Sequence, residues 1–168
     1  MRNRLWNNLA DIRFRACYAH AYSSFLRFCG GAYSFILSFA SAASVATWAI
    51  WARYPSVWAS IVAIAQVLHI AKPHLGFLKS EPEVLSMSFE LEQLYLAYER
   101  LWNDCEHKII SESSAEERFY ELREKEIDID RMYRSATVLT FGFLVSAAYK
   151  DTLSALSRNF GVEMKDDR

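Results

Sequence analysis

The chain has 168 residues and a formal net charge of −1 at pH 7, a length that fits one compact domain or one subunit of an oligomer. The charge is divided unevenly, because residues 1–80 hold eight Lys and Arg and one acid, whereas residues 81–168 hold eleven Lys and Arg and nineteen acids. Three scattered cysteines exclude a disulfide framework, and the charge split is typical of a membrane anchor followed by a water-exposed domain.

The first predicted element is a helix in the basic segment 1–30. Leu5, Leu9 and Ile12 recur at helical spacing among arginines, and neither Pro nor Gly interrupts the segment before Gly30. This pattern is typical of an amphipathic helix on an anionic membrane surface, where each arginine contributes about 1 kcal/mol. Arginines also suit nucleic acids, but no recognition module accompanies these, so direct DNA binding is not expected.

Two largely uncharged stretches predict a transmembrane helical hairpin over residues 31–79. The first, 31–52, lacks Asp, Glu, Lys, Arg and His and is long enough to cross a hydrocarbon core as a helix. The second, 57–78, requires Lys72 to extend toward the headgroups. Because basic residues flank the hairpin on both sides, we expect a protein of the inner membrane with both termini in the cytoplasm. A water-soluble helical bundle with a buried hairpin is the alternative.

Small and hydroxyl-bearing side chains follow two neighbouring faces of the first predicted span. Small residues allow helices to approach closely, and the hydroxyls can either bond to their own carbonyls or face water in a pore. A polar side chain at depth in the second span needs a partner or a function. The residues assigned in this way to oligomer contacts or to a pore lining are Ser34, Ser38, Ser41, Ala42, Ser44, Ala46 and Gln66.

The acidic part, residues 80–168, predicts a cytoplasmic helical domain, and the whole chain is therefore expected to be all-α. Apolar residues recur in two heptad rows between Val84 and Cys105, as in a coiled coil. Such a row is a candidate interface for a protein partner. The residues assigned to it are Leu91, Leu94, Tyr98, Leu101 and Trp102.

Two further features mark the remainder of the acidic part. Ser114, followed three residues later by Glu117, predicts a capping box at the start of a second helix. The stretch 136–149 has no charge and is too short to cross a membrane alone, so it predicts a buried helix packed against the helix of residues 83–110. A third span is the alternative.

Motifs for catalysis, phosphate binding and metal binding are missing from the sequence. Neither a Walker A motif nor GxSxG nor HExxH occurs. Cys105 and His107 supply only two of the four ligands that structural zinc usually has. The sequence therefore predicts neither an enzyme nor a bound cofactor or metal ion.

The organisation of the chain resembles the SLATT family of bacterial two-span proteins found beside nucleotide-signalling genes. The residues that carry the resemblance are Trp6, Arg13, Arg15, Ala16 and Tyr18 before the hairpin, and Glu90-Leu91-Glu92-Gln93-Leu94-Tyr95 after it. The resemblance implies an antiphage effector that oligomerises, breaches the inner membrane and responds to a cyclic nucleotide or to a sensor protein. Four arginines are candidates to hold an anionic signal, although more numerous acids surround them: Arg118, Arg123, Arg131 and Arg134.

Together these features favour an oligomeric membrane effector that disrupts or permeabilises the inner membrane when it is triggered through its cytoplasmic helices. The alternative is a membrane-anchored scaffold or adaptor that recruits a protein partner through its heptad surface. The lipid bilayer and further copies of the chain are the expected partners in the first case.

Overall fold

A computed structural model describes residues 1–46, 55–71, 80–136 and 138–161. Within these ranges the chain is built from helices and contains no strand, which confirms the predicted all-α class. The helices are α1 (Arg2–Ala46), α2 (Pro55–Ala71), α3 (Glu81–Glu106), α4 (Glu112–Met132) and α5 (Gly142–Phe160).

The chain divides into two compact units. Unit 1 comprises Met1–Ser23 and Pro82–Arg168, and unit 2 comprises Ser24–Glu81. α1 contributes to both units, because the boundary falls within this uninterrupted helix. The predicted division at residues 30 and 79 differs from this one, since the beginning of the basic segment belongs with the acidic part of the chain.

Unit 1 is a helical bundle whose core is built from one apolar stripe on each helix. The stripes follow helical spacing, so that each helix presents a single face to the others. The fully or almost fully buried core side chains are Leu5, Leu9, Ile12, Ala16, Ala19 and Tyr22 on α1, Val84, Leu91, Leu94, Tyr95, Tyr98 and Leu101 on α3, Ala115, Phe119, Leu122 and Ile129 on α4, and Leu144, Ala148 and Leu156 on α5.

The burial of the α1 stripe corrects the prediction that residues 1–30 lie on a membrane surface. Leu5, Leu9 and Ile12 are at most 1% exposed, because α3, α4 and α5 provide apolar faces for them. Burying a side chain of this size contributes about 1.5–3 kcal/mol. These side chains are therefore not available to a lipid leaflet.

The start of α4 differs from the predicted capping box. The helix begins at Glu112, and the Ser111 side-chain oxygen accepts a hydrogen bond from the backbone N–H of Ser114 at 3.2 Å. Ser111 is thus the N-cap, and Ser114 is already part of the helix. The prediction chose the wrong serine because Ser113 and Ser114 follow Ser111 closely and each precedes an acidic turn.

The uncharged stretch 136–149 is a loop and the first part of α5, with residue 137 outside the described residues. α4 ends at Met132 and α5 begins at Gly142, so only the second part of this uncharged stretch is helical. Leu144 and Ala148 are buried, as predicted for a core helix, whereas the loop residues Val138 and Leu139 are partly exposed.

Unit 2 contains the second part of α1 and all of α2. An ion pair between Arg27 Nη2 and Glu81 Oε1, 3.0 Å apart, joins two of its residues that are distant in sequence. Among the described residues no helix has both the length and the apolarity that crossing a bilayer requires. The predicted spans extend into residues 47–54 and 72–78, which lie outside the described residues.

Candidate functional site

Large apolar side chains are exposed on both helices of unit 2. We call Phe28, Phe35, Ile36, Ile64, Val67 and Ile70 the unit 2 apolar surface. Five of the six are between 56% and 74% exposed, and Ile36 is 38% exposed. Phe28 and Phe35 are seven residues apart and lie on one face of α1. Exposed apolar surface of this kind usually marks contact with a protein partner or a membrane.

The exposed side chains of α2 lie on one side of the helix. Ala63, Ile64, Gln66 and Val67 fall within an arc of roughly 160°, because successive residues of an α-helix differ by about 100° in direction, and Ala65, on the opposite side, is buried. α2 contains no Asp, Glu, Lys or Arg. An exposed helix face without charged side chains is typical of contact with a partner or a membrane.

The residues predicted to mediate oligomer contacts or to line a pore are only partly covered by the structure. Ser34 and Ser38 are exposed on α1, four residues apart and hence on the same face, and Gln66 is exposed on α2. Ser41, Ala42, Ser44 and Ala46 belong to α1, but their side chains lie outside the described part of the chain. The exposed pair on α1 leaves room for a second helix to approach.

A buried carboxylate joins α1 to α4 in unit 1. Glu126 is 7% exposed, and its two oxygens accept hydrogen bonds from Arg15 Nη1 at 2.7 Å and from Arg123 Nη1 at 2.6 Å. Arg15 also pairs with Asp130, and Arg123 donates to Asn8 Oδ1 at 2.9 Å. We call these five residues the Glu126 network. Its ions are compensated together, so the loss of one member would leave a buried charge unpaired.

Tyr98 lies close to the Glu126 network and is fully buried. Its hydroxyl has no hydrogen-bond partner among the described residues. Burial and the negative charge of Glu126 raise the pKa of Tyr98 to about 12, because both disfavour the phenolate. Tyr98 therefore remains a neutral phenol at physiological pH.

A second ion pair joins α1 to α3. Arg13 Nη1 lies 2.6 Å from both carboxylate oxygens of Glu92, and its guanidinium lies over the Tyr95 ring at 4.9 Å. Burial acts to lower the pKa of Arg13, but the neighbouring Cys17 and Glu92 outweigh it, so that the pKa is raised. Arg13 and Arg15 are thus bound to acids of their own chain. Sequence reasoning missed this because the acids lie at least 79 residues away along the chain.

The arginines predicted to hold an anionic signal are not gathered into one site. Arg118 pairs with Asp104 at 3.0 Å and Arg131 with Asp128 at 3.1 Å, while Arg123 belongs to the Glu126 network. Arg118 and Arg131 are thirteen residues apart on α4, which corresponds to roughly 20 Å. Arg134 lies exposed beyond the end of that helix. The described side chains therefore offer no shared anion site built from these four.

The predicted partner interface is instead part of the unit 1 core. Leu91, Leu94, Tyr98 and Leu101 are at most 4% exposed, so a partner cannot reach them in the folded chain. Trp102 is half-buried, with its ring centroid 5.3 Å from that of Trp6 and 6.1 Å from that of Phe160. The heptad rows were identified correctly as an apolar face, but α1, α4 and α5 cover this face.

A cleft in the described part of unit 1 has a volume of about 590 Å³. Its lining combines the apolar Leu5 and Trp102 with charged groups, of which Arg2 and Glu106 form an ion pair 3.0 Å apart. The guanidinium of Arg2 also lies over the Trp102 ring at 5.4 Å. No group of three or more metal-binding side chains occurs among the described residues.

Comparisons with protein-family models, curated proteins and solved structures found no match to this chain. The resemblance to the SLATT family accordingly stays a hypothesis that depends on the residues quoted for it. The unit 2 apolar surface and the Glu126 network are the two structural features from which a function can be argued.

Proposed function

We propose that the chain is a two-span membrane protein whose unit 2 assembles with further copies in the bilayer and permeabilises it, while unit 1 is its helical control domain. The unit 2 apolar surface is the observation that carries the proposal. Each large apolar side chain left in water forfeits about 1.5–3 kcal/mol of burial energy. Contact with lipid tails removes this cost for both helices at once.

A bilayer fits this surface better than a single protein partner does. Both helices of unit 2 expose large apolar side chains, which include Phe28 and Phe35 on α1 and Ile64 and Val67 on α2. The sequence of α2 lacks Asp, Glu, Lys and Arg, and the stretch 31–52 lacks them too. Lipid tails surround a helix, and they exclude such charges.

The permeabilising activity requires several copies, because one helical hairpin cannot enclose a channel. Ser34 and Ser38 are exposed on α1, and small residues on one face favour close helix association in a membrane. The resemblance to the SLATT family supplies the biological setting: antiphage defence at the inner membrane, triggered by a cyclic nucleotide or a sensor protein.

The continuity of α1 provides a route for such a trigger. The same helix carries Arg15 of the Glu126 network and, further along, Ser34 and Ser38. A ligand or protein that binds unit 1 better after the network opens would favour a different position of α1 in the bundle. The position of the proposed membrane spans would then change together with that of α1.

Dye release from vesicles of phosphatidylethanolamine and phosphatidylglycerol tests the proposal. The full chain is expected to release the dye, and the double variant Ser34→Leu/Ser38→Leu is expected to insert equally but release little, because bulky side chains separate the helices. Ser24→Leu is the matched control, since Ser24 is exposed on the same helix before the uncharged stretch. A chain that stays monodisperse in buffer without detergent would refute the membrane assignment.

The alternative of a membrane-anchored scaffold now needs a different surface from the heptad rows. Phe89 and Leu96 are 57% and 46% exposed and lie seven residues apart on α3, so they share a face. A scaffold that uses them predicts no dye release and a protein that co-purifies with the chain but not with the variant Phe89→Ser.

A further inference from the structure

One cleft of unit 1 has the size of a small-molecule binding site and an apolar floor. Its volume of about 590 Å³ is within the range of ligand pockets, roughly 300–1,000 Å³. Leu5 and Ala115 in its lining are at most 3% exposed, and the half-buried Trp102 packs against Trp6 and Phe160. All the residues that line the cleft belong to unit 1.

Lys108 lines this cleft in a backbone conformation that favours glycine. α3 ends in a Schellman motif, in which the N–H of Ile109 donates to the carbonyl of Asp104 at 2.9 Å and the N–H of Lys108 donates to that of Cys105 at 3.2 Å. Lys108 occupies the left-handed position of this motif, with φ = 54°. Glycine is the usual residue there, because a Cβ atom disfavours positive φ. Residues in such disfavoured conformations cluster at functional sites, which directs attention to the Lys108 side chain.

Four charged side chains line the cleft, and two of them form no ion pair. Arg2 and Glu106 neutralise each other at 3.0 Å. Lys108 and Glu112 form no ion pair among the described residues, and both are exposed. A simple anion attracted by Lys108 would be repelled by Glu112, and a simple cation would meet the opposite forces. A ligand that carries both charges balances both residues.

The two unpaired charges and the apolar floor together define a class of ligand. We infer that this cleft binds a free α-amino acid with an apolar side chain. Lys108 contacts its carboxylate, Glu112 contacts its ammonium group, and Leu5 and Ala115 contact its side chain. Burial removes that side chain from water, and contacts between charged groups are stronger than neutral hydrogen bonds. Because every group belongs to unit 1, the inference does not depend on the proposed membrane insertion of unit 2.

Fluorine NMR of the full chain in a nonionic detergent tests this site. The chain is labelled with 5-fluorotryptophan, and the signal of Trp102 is assigned by its absence in Trp102→Phe. L-Leucine at millimolar concentration is expected to shift this signal saturably. 4-Methylpentanoate lacks the ammonium group of leucine, and 3-methylbutylamine lacks its carboxylate. Each should bind about tenfold more weakly than leucine, because one charge-assisted contact is lost.

Charge variants assign each end of the ligand to one residue. Lys108→Gln should weaken leucine binding about tenfold without weakening that of 3-methylbutylamine, which has no carboxylate. Glu112→Gln should weaken leucine binding to the same extent without weakening that of 4-methylpentanoate. Lys125→Gln is the matched control, because Lys125 is exposed on α4 but does not line this cleft. Circular dichroism verifies that each variant is folded.

Lys108→Gly separates ligand binding from a structural role of this residue. Glycine suits φ = 54°, so the variant is expected to raise the urea midpoint of unfolding while it weakens leucine binding. A lower midpoint with unchanged leucine binding would overturn the inference, because Lys108 would then serve only the end of α3, where a cation is favoured.

Three further results would overturn the site. The first is no saturable shift of the Trp102 signal with leucine. The second is equal affinity for the three compounds, which would indicate an apolar cleft that does not recognise charge. The third is equal weakening by Lys108→Gln and Lys125→Gln, which would indicate a nonspecific effect of net charge. Vesicle dye release is measured separately, so each of these results would leave the proposed function standing.

Discussion

The two units use apolar side chains in opposite ways. In unit 1 the apolar stripes of four helices cover each other, and buried charges such as Glu126 are paired. In unit 2, Phe35 and Ile64 are more than half exposed, and α2 has no Asp, Glu, Lys or Arg that would favour contact with water. Apolar content alone therefore does not distinguish a core from an interaction surface, whereas the accompanying charge does.

α1 has buried apolar side chains in its first part and exposed ones in its second part. Leu9 in its first part is fully buried and is followed by Asp11 and Arg13 on other faces, which is the composition of an amphipathic helix. Phe28 and Phe35 in its second part are exposed within a sequence that has no charge after Arg27. The first part is stabilised by its own chain, whereas the proposed function has the second part covered by lipid.

The largest expected effect is the loss of a core side chain in unit 1. Leu9→Ala should destabilise the bundle by about 3 kcal/mol, because the removed atoms lose their burial and leave a cavity. Urea unfolding of the full chain in a nonionic detergent, followed by circular dichroism, measures this change. Ile64→Ala in unit 2 is the matched control, since a side chain in contact with detergent leaves no cavity and should cost less than about 1 kcal/mol.

Equal losses for the two variants would break the comparison between the units. They would mean that Ile64 is covered by protein in solution, as in a soluble oligomer. The proposed function would then lose its main support, whereas the fold of unit 1 would be unaffected.

Much of the fold of unit 1 follows from sequence periodicity. The heptad rows correctly identify Leu91 and Leu94 as one apolar face, and the uncharged stretch 136–149 contains the buried Leu144 and Ala148. The occupant of that face does not follow, because periodicity reports which side of a helix is apolar and not which element covers it. For this reason the core of α3 was predicted as a partner interface.

The pairing of charges was the least predictable part of the candidate site. Arg15 and Glu126 are 111 residues apart, and no local pattern links them. An arginine beside an uncharged stretch is typical of membrane-proximal segments, so the sequence assigned Arg15 to lipid. The one local signal was the excess of acids on α4, which provides partners for a basic helix.

An effect of intermediate size is expected for the Glu126 network. Glu126→Gln leaves Arg15 and Arg123 without their shared negative charge, and it should destabilise unit 1 by about 2 kcal/mol, less than for a fully buried pair because both arginines are partly exposed. The same urea unfolding measures it. If α1 is moved by this network, the variant should also release vesicle dye without a trigger.

Asp128→Asn is the matched control for the network. Its pair with Arg131 is also on α4 but exposed to solvent, so its loss should change the unfolding free energy by less than about 0.5 kcal/mol. Indistinguishable effects of Glu126→Gln and Asp128→Asn would show that burial does not strengthen the network. The network would then be too weak to hold α1 in place, and the proposed route through α1 would be refuted.

A small effect at neutral pH is also expected for Tyr98, and it tests the description of the unit 1 core. Tyr98→Phe removes a buried hydroxyl that has no hydrogen-bond partner among the described residues, so the unfolding free energy should change by less than about 1 kcal/mol.

Above pH 10 the unfolding free energies of the parent chain and of the Tyr98→Phe variant should differ more clearly. The pKa of Tyr98 is raised from 10.0 to about 12 in the folded chain, so the folded state binds this proton more tightly than the unfolded state. The resulting stabilisation is complete below pH 10 and is lost as the pH rises through 12, at up to about 1.4 kcal/mol per pH unit. Phenylalanine has no such proton, and the variant should therefore lose less stability than the parent chain between pH 10 and 12. Parallel losses in urea unfolding would mean that the phenolate is solvated in the folded chain, which contradicts the burial of Tyr98 beside Glu126.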